Sequence, residues 1–186
     1  MEPDSRPTIT AVSGRSFAAF PAAVVVAIVD RHDELLLLES PRRQGLWEPV
    51  NGAVDDGETL LEAALREVRE EAGAGLRARP LGVVHASTFA YDARLRCVIS
   101  VVYLMAHEGG MAAPGGDMRG SRVRWATLGA IESDGLRLLP PLDQGWLRRR
   151  IVELFWLWVD APPVSLQDPL PATAWNKHQR GAPAEP

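Results

Sequence analysis

The sequence holds little cysteine and no long uninterrupted apolar run, and each scarcity excludes a class of protein. Cys97 is the only cysteine in 186 residues, so neither an internal disulfide nor a multi-cysteine zinc site can form. The stretch "IVELFWLWV" is far shorter than the roughly 20 residues that span a membrane. The first ten residues lack the basic and apolar segments of a signal peptide. We therefore expect a cytoplasmic, soluble protein in which Cys97 is buried.

An excess of positive charge is also absent. The formal net charge is -4 at pH 7, and the sequence pI is about 5.6. These values exclude a broad basic field of the kind that grips nucleic acid. Two short clusters remain, "RLR" at 94–96 and "RRR" at 148–150, and we interpret both as solvated faces. A nucleic acid partner is therefore disfavoured, and a membrane partner is not expected.

The composition is that of an ordinary globular domain. Apolar residues make up 46% of the chain and charged residues 24%, and this length is enough for one domain with a sizeable core. Residues 1–19 are polar with scattered prolines and predict a flexible N-terminal arm. Residues 161–186 are rich in proline and predict an irregular tail. The folded domain is expected over residues 20–160.

Hydrophobic patterning predicts a mixture of strands and helices in that domain. "AAVVVAIVD" (22–30) is apolar and rich in valine, which is typical of a central strand. Residues 46–54 predict a short edge strand and turn, interrupted by Pro49 and Gly52. Helical spacing predicts a helix at 59–73 and another at 143–160, the latter with Trp146 on its apolar side. Further strands are predicted at 35–40, 76–88, 96–108 and 121–128.

The first helix carries clear signals at both ends. Thr59 followed by Glu62 fits a capping box, and Gly73 stands where a left-handed C-terminal cap would fall. Between them, apolar residues recur at helical spacing and predict one buried stripe. The members of this stripe are Leu61, Ala64, Leu65, Val68 and Ala72.

Glu67, Glu70 and Glu71 crowd the last turn of this helix. In an α-helix they fall within an arc of about 100°. Each like-charged pair costs roughly 0.2–0.5 kcal/mol, and each carboxylate opposes the helix dipole by about 0.3–1 kcal/mol. Solvent-screened surface charge is one interpretation. A hard divalent cation is the other, because magnesium prefers carboxylate oxygens and would offset these costs.

The spacing of these residues resembles the signature of the Nudix hydrolases. That signature is matched by Gly52, Glu58, Arg66-Glu67, Val68, Glu70-Glu71, Gly73 and Ala74. Every charged and glycine position agrees, and only Ala74 is smaller than the aliphatic residue usual at the last position. The resemblance implies an α+β fold in which a mixed β-sheet lies between helices, and it implies a nucleotide pyrophosphohydrolase.

The resemblance also implies roles for the matched residues. Glu67, Glu70 and Glu71 would be the catalytic carboxylates that hold Mg²⁺ or Mn²⁺, with the main-chain carbonyl of Gly52 as a further ligand. Glu58 and Arg66 would pair and brace the loop against the helix. The general base stays open at this stage between Glu67, Glu108 at a strand end, and Asp117 in the glycine-rich loop 109–120.

The implied reaction is attack of water on a diphosphate in a nucleoside diphosphate linked to another group. The segment "WEPVNGAVDDGET" is similar to the branch that cleaves dATP or dihydroneopterin triphosphate. Arg42 and Arg43 lie just ahead of this segment and are candidates for binding phosphate. Phe89 and Tyr91 follow a strand and are candidates for stacking on a base.

Three alternative functions are also compatible with the resemblance. They are a catalytically silent ligand-sensing module, an isopentenyl diphosphate isomerase and an RNA 5′-end pyrophosphohydrolase. The intact signature disfavours the first two, and the acidic net charge disfavours the third. Trp156 and Leu157 lie off the apolar stripe of the last helix, which favours a homodimer through that helix or the proline-rich tail.

Overall fold

The computed structural model describes residues 7–161, and within them a mixed β-sheet lies between helices. This arrangement confirms the α+β class predicted from the sequence. The strands are β1 (Thr8–Thr10), β2 (Ser16–Ala18), β3 (Ala22–Val29), β4 (Leu35–Glu39), β5 (Leu46–Glu48), β6 (Val50–Ala53), β7 (Arg77–Phe89), β8 (Val98–Gly109), β9 (Val123–Ala126) and β10 (Arg137–Leu138). The helices are α1 (Leu60–Glu67), α2 (Leu128–Ser133) and α3 (Gly145–Trp158), together with a π-helical segment (Val68–Ala72) and a 3₁₀ turn (Gly116–Met118).

The main sheet has eight strands, two of which lie off its continuous path. Its continuous path runs β10-β5-β4-β3-β8-β7, while β6 pairs with β3 and β9 pairs with β4. β3 is parallel to β8 over its whole length and antiparallel to both β4 and β6. β5 pairs with β4. The chain then passes through Pro49, and the next strand, β6, pairs with β3 instead. The predicted single strand at 46–54 is therefore two strands with different neighbours.

Alternation along β3 creates two separate cores. Val24, Val26 and Ile28 point toward α1, whereas the intervening residues of β3 point toward α3. All six residues Val24–Val29 are buried, as expected for a strand covered on both faces. Since α1 and α3 lie on opposite faces, any side chain of the sheet can be assigned to one layer or the other by its register.

The first predicted helix exists, but it changes type midway. Thr59 is its N-cap, and the capping box with Glu62 is present. After Glu67 the hydrogen-bonding becomes π-helical through Ala72, a change that sequence periodicity did not predict. Gly73 ends the helix with φ 100° and ψ 145°. Its φ is positive as expected, but its ψ is extended, so the predicted left-handed cap is wrong.

The last helix agrees with the sequence prediction except at one aromatic residue. Leu147, Ile151 and Phe155 are fully buried on its inner side. Trp146 was expected there, yet it is 45% exposed and its ring meets that of His85 edge-on. Trp156 and Leu157 are exposed. The predicted homodimer stays a prediction.

Four short elements and one side chain differ from expectation. Residues assigned to the flexible arm form the antiparallel pair β1–β2, with Ile9 opposite Phe17. α2 and β10 were not predicted, since six-residue helices and two-residue strands carry little periodicity. Cys97 is only partly buried. The predicted tail lies outside the described residues except for Ala161, and no helix within 7–161 has the length and apolar character to cross a membrane.

Candidate active site

The site lies where the chain crosses from β5 to β6, beside the π-helical segment. Two features of β6 bring that segment close. The main-chain N–H of Asn51 donates to Glu71 Oε2 at 2.9 Å, and Gly52 has no side chain to separate the strand from Glu67. A Cβ at Gly52 would overlap the Glu67 carboxylate. The edge of β6 is therefore in contact with the acidic end of the helix.

Glu71 is a buried carboxyl group with little compensating charge. Its residue is 8% exposed. Burial raises the pKa of Glu71 to about 8, and the negative charges of Glu67, Glu48 and Asp117 raise it further, while the Asn51 N–H opposes the shift. Such a group is costly in its ionised form unless a cation lies nearby.

Glu67 is equally buried but has an arginine partner. It is 8% exposed, and its Oε1 accepts from Arg66 Nη1 at 2.7 Å. Burial raises the pKa of Glu67, although the hydrogen bond and charge of Arg66 act in the opposite direction. Desolvation is the larger effect, so even this paired carboxylate has an unfavourable charge.

Arg66 connects the loop before α1 to the acidic segment, residues 67–71, which holds Glu67, Glu70 and Glu71. Its Nε and Nη2 donate to the two carboxylate oxygens of Glu58 at 3.1 and 2.7 Å, which is the pairing that the resemblance implies. Nη2 also donates to the main-chain carbonyl of Ala53 at 2.9 Å. The hydrogen bonds that Arg66 donates to Glu58 are the largest cause of the raised pKa of Arg66. The guanidinium therefore fixes the loop against the helix.

Glu70 completes the acidic group on its solvent side. Its side chain is 54% exposed, and its Oε2 lies 3.2 Å from Arg66 Nη1. Within residues 7–161, no three His, Cys, Asp or Glu side chains are already arranged to hold a metal ion, because Glu67 and Glu70 both face Arg66. The donors are nevertheless all oxygen, and two of them are buried with raised pKa. This chemistry fits a hard divalent cation.

The glycine-rich loop after β8 packs directly on the acidic segment. Ala113 N–H donates to Ala72 O at 2.8 Å, and Gly115 N–H donates to Glu71 O at 3.3 Å. Gly73 has positive φ, and a Cβ there would collide with the Ala113 carbonyl. These contacts place Asp117 close enough to Glu71 to act on its pKa.

Arg42 reaches the same region from the loop after β4. Its Nη2 donates to Asp117 Oδ2 at 3.0 Å, and both side chains are largely exposed. Arg43 is exposed beside it. The structure thus brings Arg42 and Asp117 together at the acidic segment, a pairing that no sequence pattern predicts.

Within residues 7–161, no hydrogen bond or ion pair joins the other three candidates to the acidic segment. Glu108 binds Arg79 at 2.6 Å, and Arg79 also donates to the Val159 carbonyl, which places Glu108 beside α3. Phe89 pairs with Val98 in the register of β7 and β8, and alternation from Val102 places both on the α3 face. Tyr91 lies in the exposed loop that joins β7 to β8.

Asn51 and Glu48 are residues of this region that sequence reasoning missed. Asn51 Nδ2 donates to the Pro49 carbonyl at 2.9 Å and approaches Glu48 Oε2 at 3.4 Å. Glu48 contributes to the raised pKa of Glu71. Both residues stand in "WEPVNG", next to the signature, but only the crossing from β5 to β6 brings them to the helix.

A family comparison decides the classification. The model of the NUDIX domain matches residues 19–154. The chain belongs to the Nudix family. This finding confirms the resemblance based on the signature between Gly52 and Ala74.

Curated relatives match this Nudix chain over parts of their length. The CTP pyrophosphohydrolase of Escherichia coli is 42% identical over 53 residues, which cover 27% of this chain and 39% of the relative. The ADP-ribose pyrophosphatase of Methanocaldococcus jannaschii is 32% identical over 101 residues, 53% of this chain and 59% of the relative. The chain thus covers less than two thirds of each of these relatives.

Solved structures show the same fold at low sequence identity. A Nudix hydrolase from Nitrosomonas europaea aligns with a TM-score of 0.57 and 18% identity, covering 81% of this chain and 97% of that one. A Nudix hydrolase from Clostridium perfringens also gives 0.57 and 18%, covering 73% of this chain and 96% of that one. The mixed sheet with its flanking helices is therefore the Nudix fold.

Proposed function

We propose that this Nudix protein is a divalent-metal-dependent hydrolase that cleaves a diphosphate bond in a nucleoside diphosphate linked to another group. The observation that supports this proposal best is the burial of Glu67 and Glu71 against β6 with raised pKa values. A structural surface cluster would not be buried in this way. Such a pair is stabilised by a cation, and a diphosphate is the kind of anion that binds with one.

The proposed metal ligands are the carboxylates of Glu67, Glu70 and Glu71 and the main-chain carbonyl of Gly52. Mg²⁺ or Mn²⁺ is the expected ion, because all of these donors are oxygen. When bound, the ion neutralises phosphate oxygens and lowers the pKa of the attacking water. The contact between Gly52 and Glu67 keeps that carboxylate beside the Gly52 main chain.

The remaining residues position the carboxylates and accept a proton. Asn51 N–H orients Glu71, and Arg66 fixes Glu58, Glu67 and Glu70 relative to one another. The general base is proposed to be Glu67, because burial raises the pKa of its carboxyl, which favours the acceptance of a proton. The pairing of Glu108 with Arg79 on the α3 side gives it less support.

The substrate is proposed only as a class. The relatives carry names of enzymes that act on CTP and on ADP-ribose, while the sequence near Trp47 is similar to the branch that cleaves dATP or dihydroneopterin triphosphate. Arg42 and Arg43 are proposed to bind phosphate, since they lie in the loop that reaches Asp117. Tyr91 is an exposed aromatic residue available to stack on a base.

The test is a hydrolysis assay on a nucleotide panel with magnesium. The panel includes dATP, CTP, ADP-ribose and dihydroneopterin triphosphate, and phosphate, pyrophosphate and nucleoside monophosphate are measured as products. We expect turnover of at least one compound by the wild type, its loss in chelator, and its loss in Glu71→Gln. Glu62→Gln is the matched control, because Glu62 lies on the same helix but caps its N-terminus. Equal rates in wild type and Glu71→Gln would contradict the proposal.

A second candidate is hydrolysis at the 5′ end of RNA. The NAD-capped RNA hydrolase of Klebsiella pneumoniae is 29% identical over 133 residues, which cover 71% of this chain and 46% of that relative. RNAs with NAD and triphosphate 5′ ends form the second arm of the assay. Magnesium-dependent binding without turnover in either arm would instead support the silent sensing module.

A further inference from the structure

The loop that follows β4 and the loop that precedes β9 meet beside the acidic segment. β4 and β9 are antiparallel, with Leu38 opposite Val123. The loop that leaves β4 and the loop that enters β9 therefore start side by side at one end of the sheet. Arg42 lies in the first loop, and Asp117 lies in the second. Their ion pair at 3.0 Å joins the two loops.

The bases of both loops are held firmly. On the first loop, Glu39 accepts from both Nε and Nη2 of Arg122 at 2.6 Å and from the Gly45 N–H at 2.9 Å. On the second loop, Met118 is buried in the core under α1. These anchors fix the main chain at the base of each loop. The directions of the Arg42 and Asp117 side chains therefore depend mainly on the ion pair between them.

The pair itself is weak and easily exchanged. The side chain of Arg42 is 77% exposed and that of Asp117 is 80% exposed. An exposed ion pair of this kind contributes little stability. A diphosphate carries more charge than one carboxylate and offers the guanidinium two oxygens in its preferred geometry. It would therefore displace Asp117 from Arg42 at small cost.

Asp117 also brings Arg42 to the right place. Asp117 is close enough to Glu71 to add to the negative field around it, and the Gly115 N–H of the same loop donates to the Glu71 carbonyl. An arginine held there lies beside the proposed metal ligands. It is positioned for the phosphates of a substrate that approaches them.

We propose that Asp117 holds Arg42 in a resting pair over the acidic segment, and that the diphosphate of the substrate replaces Asp117 as the partner of Arg42. Arg42 then determines affinity for the diphosphate, and Asp117 lowers that affinity by competing for it. The inference rests on the proposed function, because it requires that this site bind diphosphates. It assigns Asp117 a competing role in place of the role of general base.

The test is a double-mutant cycle read by binding of inorganic pyrophosphate with magnesium. Calorimetry is carried out on wild type, Arg42→Ala, Asp117→Asn and the double variant. We expect Arg42→Ala to weaken binding and Asp117→Asn to tighten it by about two- to fivefold, the range of an exposed ion pair. In the Arg42→Ala background, Asp117→Asn should leave the dissociation constant nearly unchanged.

The chain offers a matched control for loss of an exposed arginine–aspartate pair. Arg31 and Asp160 lie 2.9 Å apart with exposures of 61% and 75%, at the other end of β3 from Gly52. Asp160→Asn should leave pyrophosphate binding unchanged. If Asp117→Asn tightened binding equally with and without Arg42, the effect would be one of net charge, and the inference would be wrong.

Turnover separates the competing role from that of a base. The inference expects Asp117→Asn to lower KM and keep kcat within about threefold on any substrate found in the panel. A fall in kcat of about 100-fold or more, with an altered pH profile, would identify Asp117 as the base and overturn the inference. The binding cycle does not depend on turnover. A wild type that binds pyrophosphate with this coupling but hydrolyses nothing would contradict the proposed function and leave the inference standing.

Discussion

The two halves of the signature helix follow different rules. The first half, Leu60–Glu67, is a regular α-helix with a capping box and follows the usual preferences for stability. The second half, Val68–Ala72, is π-helical and places Glu71 in the protein interior. Short π-helical segments inside helices occur frequently at functional sites. The change in helix type therefore begins directly after Glu67, the first of the carboxylates proposed to bind metal.

Four carboxylates in and just before this helix divide into two pairs by the direction of their pKa shift. Hydrogen bonds from Arg66 lower the pKa of Glu58, and hydrogen bonds from Thr59 lower that of Glu62. Burial raises the pKa of both Glu67 and Glu71. Glu58 and Glu62, which stabilise this fold, ionise easily, whereas Glu67 and Glu71, two of the proposed metal ligands, ionise at a cost. The direction of the pKa shift thus separates these two pairs.

The largest effect is expected from Glu71→Gln. Turnover should fall at least about 100-fold, since even outer partners of metal ligands are worth 10–100-fold. In chelator the same variant should unfold at higher denaturant, because a buried carboxyl with a pKa of about 8 binds a proton more tightly in the folded state. The difference in the free energy of unfolding between variant and wild type grows as pH rises above about 4.5, where the carboxyl ionises in the unfolded state. Urea unfolding at pH 5 and pH 8 measures it.

The control for this prediction is Glu62→Gln in the first half. It keeps a side-chain oxygen that can accept from the Thr59 N–H but removes the negative charge from the first turn of the helix, so the variant should lose a little stability and keep its turnover. Opposite outcomes, with Glu62 needed for turnover and Glu71 needed for stability in chelator, would reverse the assignment of the two halves.

Alanine substitutions at two glycines of the signature should have different effects. A Cβ at Gly73 meets a main-chain carbonyl, and its φ of 100° is unfavourable for alanine, so Gly73→Ala should lose about 1–3 kcal/mol from backbone strain alone. A Cβ at Gly52 meets only the end of the Glu67 side chain. Gly52→Ala should therefore fold, with turnover reduced more than about tenfold.

Thermal melts in chelator, together with turnover of the folded fraction, distinguish the two glycine variants. A Gly52→Ala protein that melts as low as Gly73→Ala would show that β6 itself shifts. In that case the overlap with Glu67 would not be the cause of the lost activity.

A paired carboxylate outside the helix extends the comparison to acid pH. Hydrogen bonds from Arg122 and then from the Gly45 N–H lower the pKa of Glu39 to about 2. A lowered pKa stabilises the fold above the unfolded value near 4.5, and this contribution is lost as pH falls toward 2. Glu39→Gln should therefore be less stable than wild type at pH 7, with the gap closing by pH 2. A gap that stayed constant across this range would show that charge is not involved.

Sequence alone predicted the parts of the fold that local rules determine. The central strand from Val24 to Val29 follows from its valine-rich run, and the start of α1 follows from Thr59 and Glu62. The signature positions were read from spacing and confirmed as a family match. α2 and β10 are too short to leave a periodic pattern. Their formation depends on packing against β5 and α3, which the sequence does not display.

The candidate site was predictable in composition but not in geometry. An α-helical projection placed Glu67, Glu70 and Glu71 on one acidic sector. In the structure Glu67 at the end of α1 and Glu71 in the π-helical segment are buried, whereas Glu70 is exposed. The pairing of Arg42 with Asp117 joins residues 75 positions apart, and it depends on the pairing of β4 with β9. Long-range strand pairing is the step that local patterns do not contain.

The smallest effects are expected from two substitutions that remove a charge or a cap at opposite ends of the helix. Thr59→Ala should lower the free energy of unfolding by about 1 kcal/mol through loss of the cap. Glu70→Gln removes an unfavourable charge at the helix end, worth about 0.3–1 kcal/mol. It also loses a partly exposed pair with Arg66, worth about 0.3–0.5 kcal/mol. The net change in chelator should therefore lie between a loss of about 0.2 and a gain of about 0.7 kcal/mol.

Magnesium should separate these two variants more clearly than chelator does. Thr59→Ala should keep the full rise in melting temperature that magnesium gives the wild type, because its carboxylates are unchanged. Glu70→Gln should show a smaller rise, since stabilisation by a ligand follows the ratio of its concentration to its dissociation constant. Should Glu70→Gln instead lose more than 1 kcal/mol in chelator and retain the full magnesium response, Glu70 would belong with Glu58 and Glu62. The proposed metal ligands among the glutamates would then be reduced to Glu67 and Glu71.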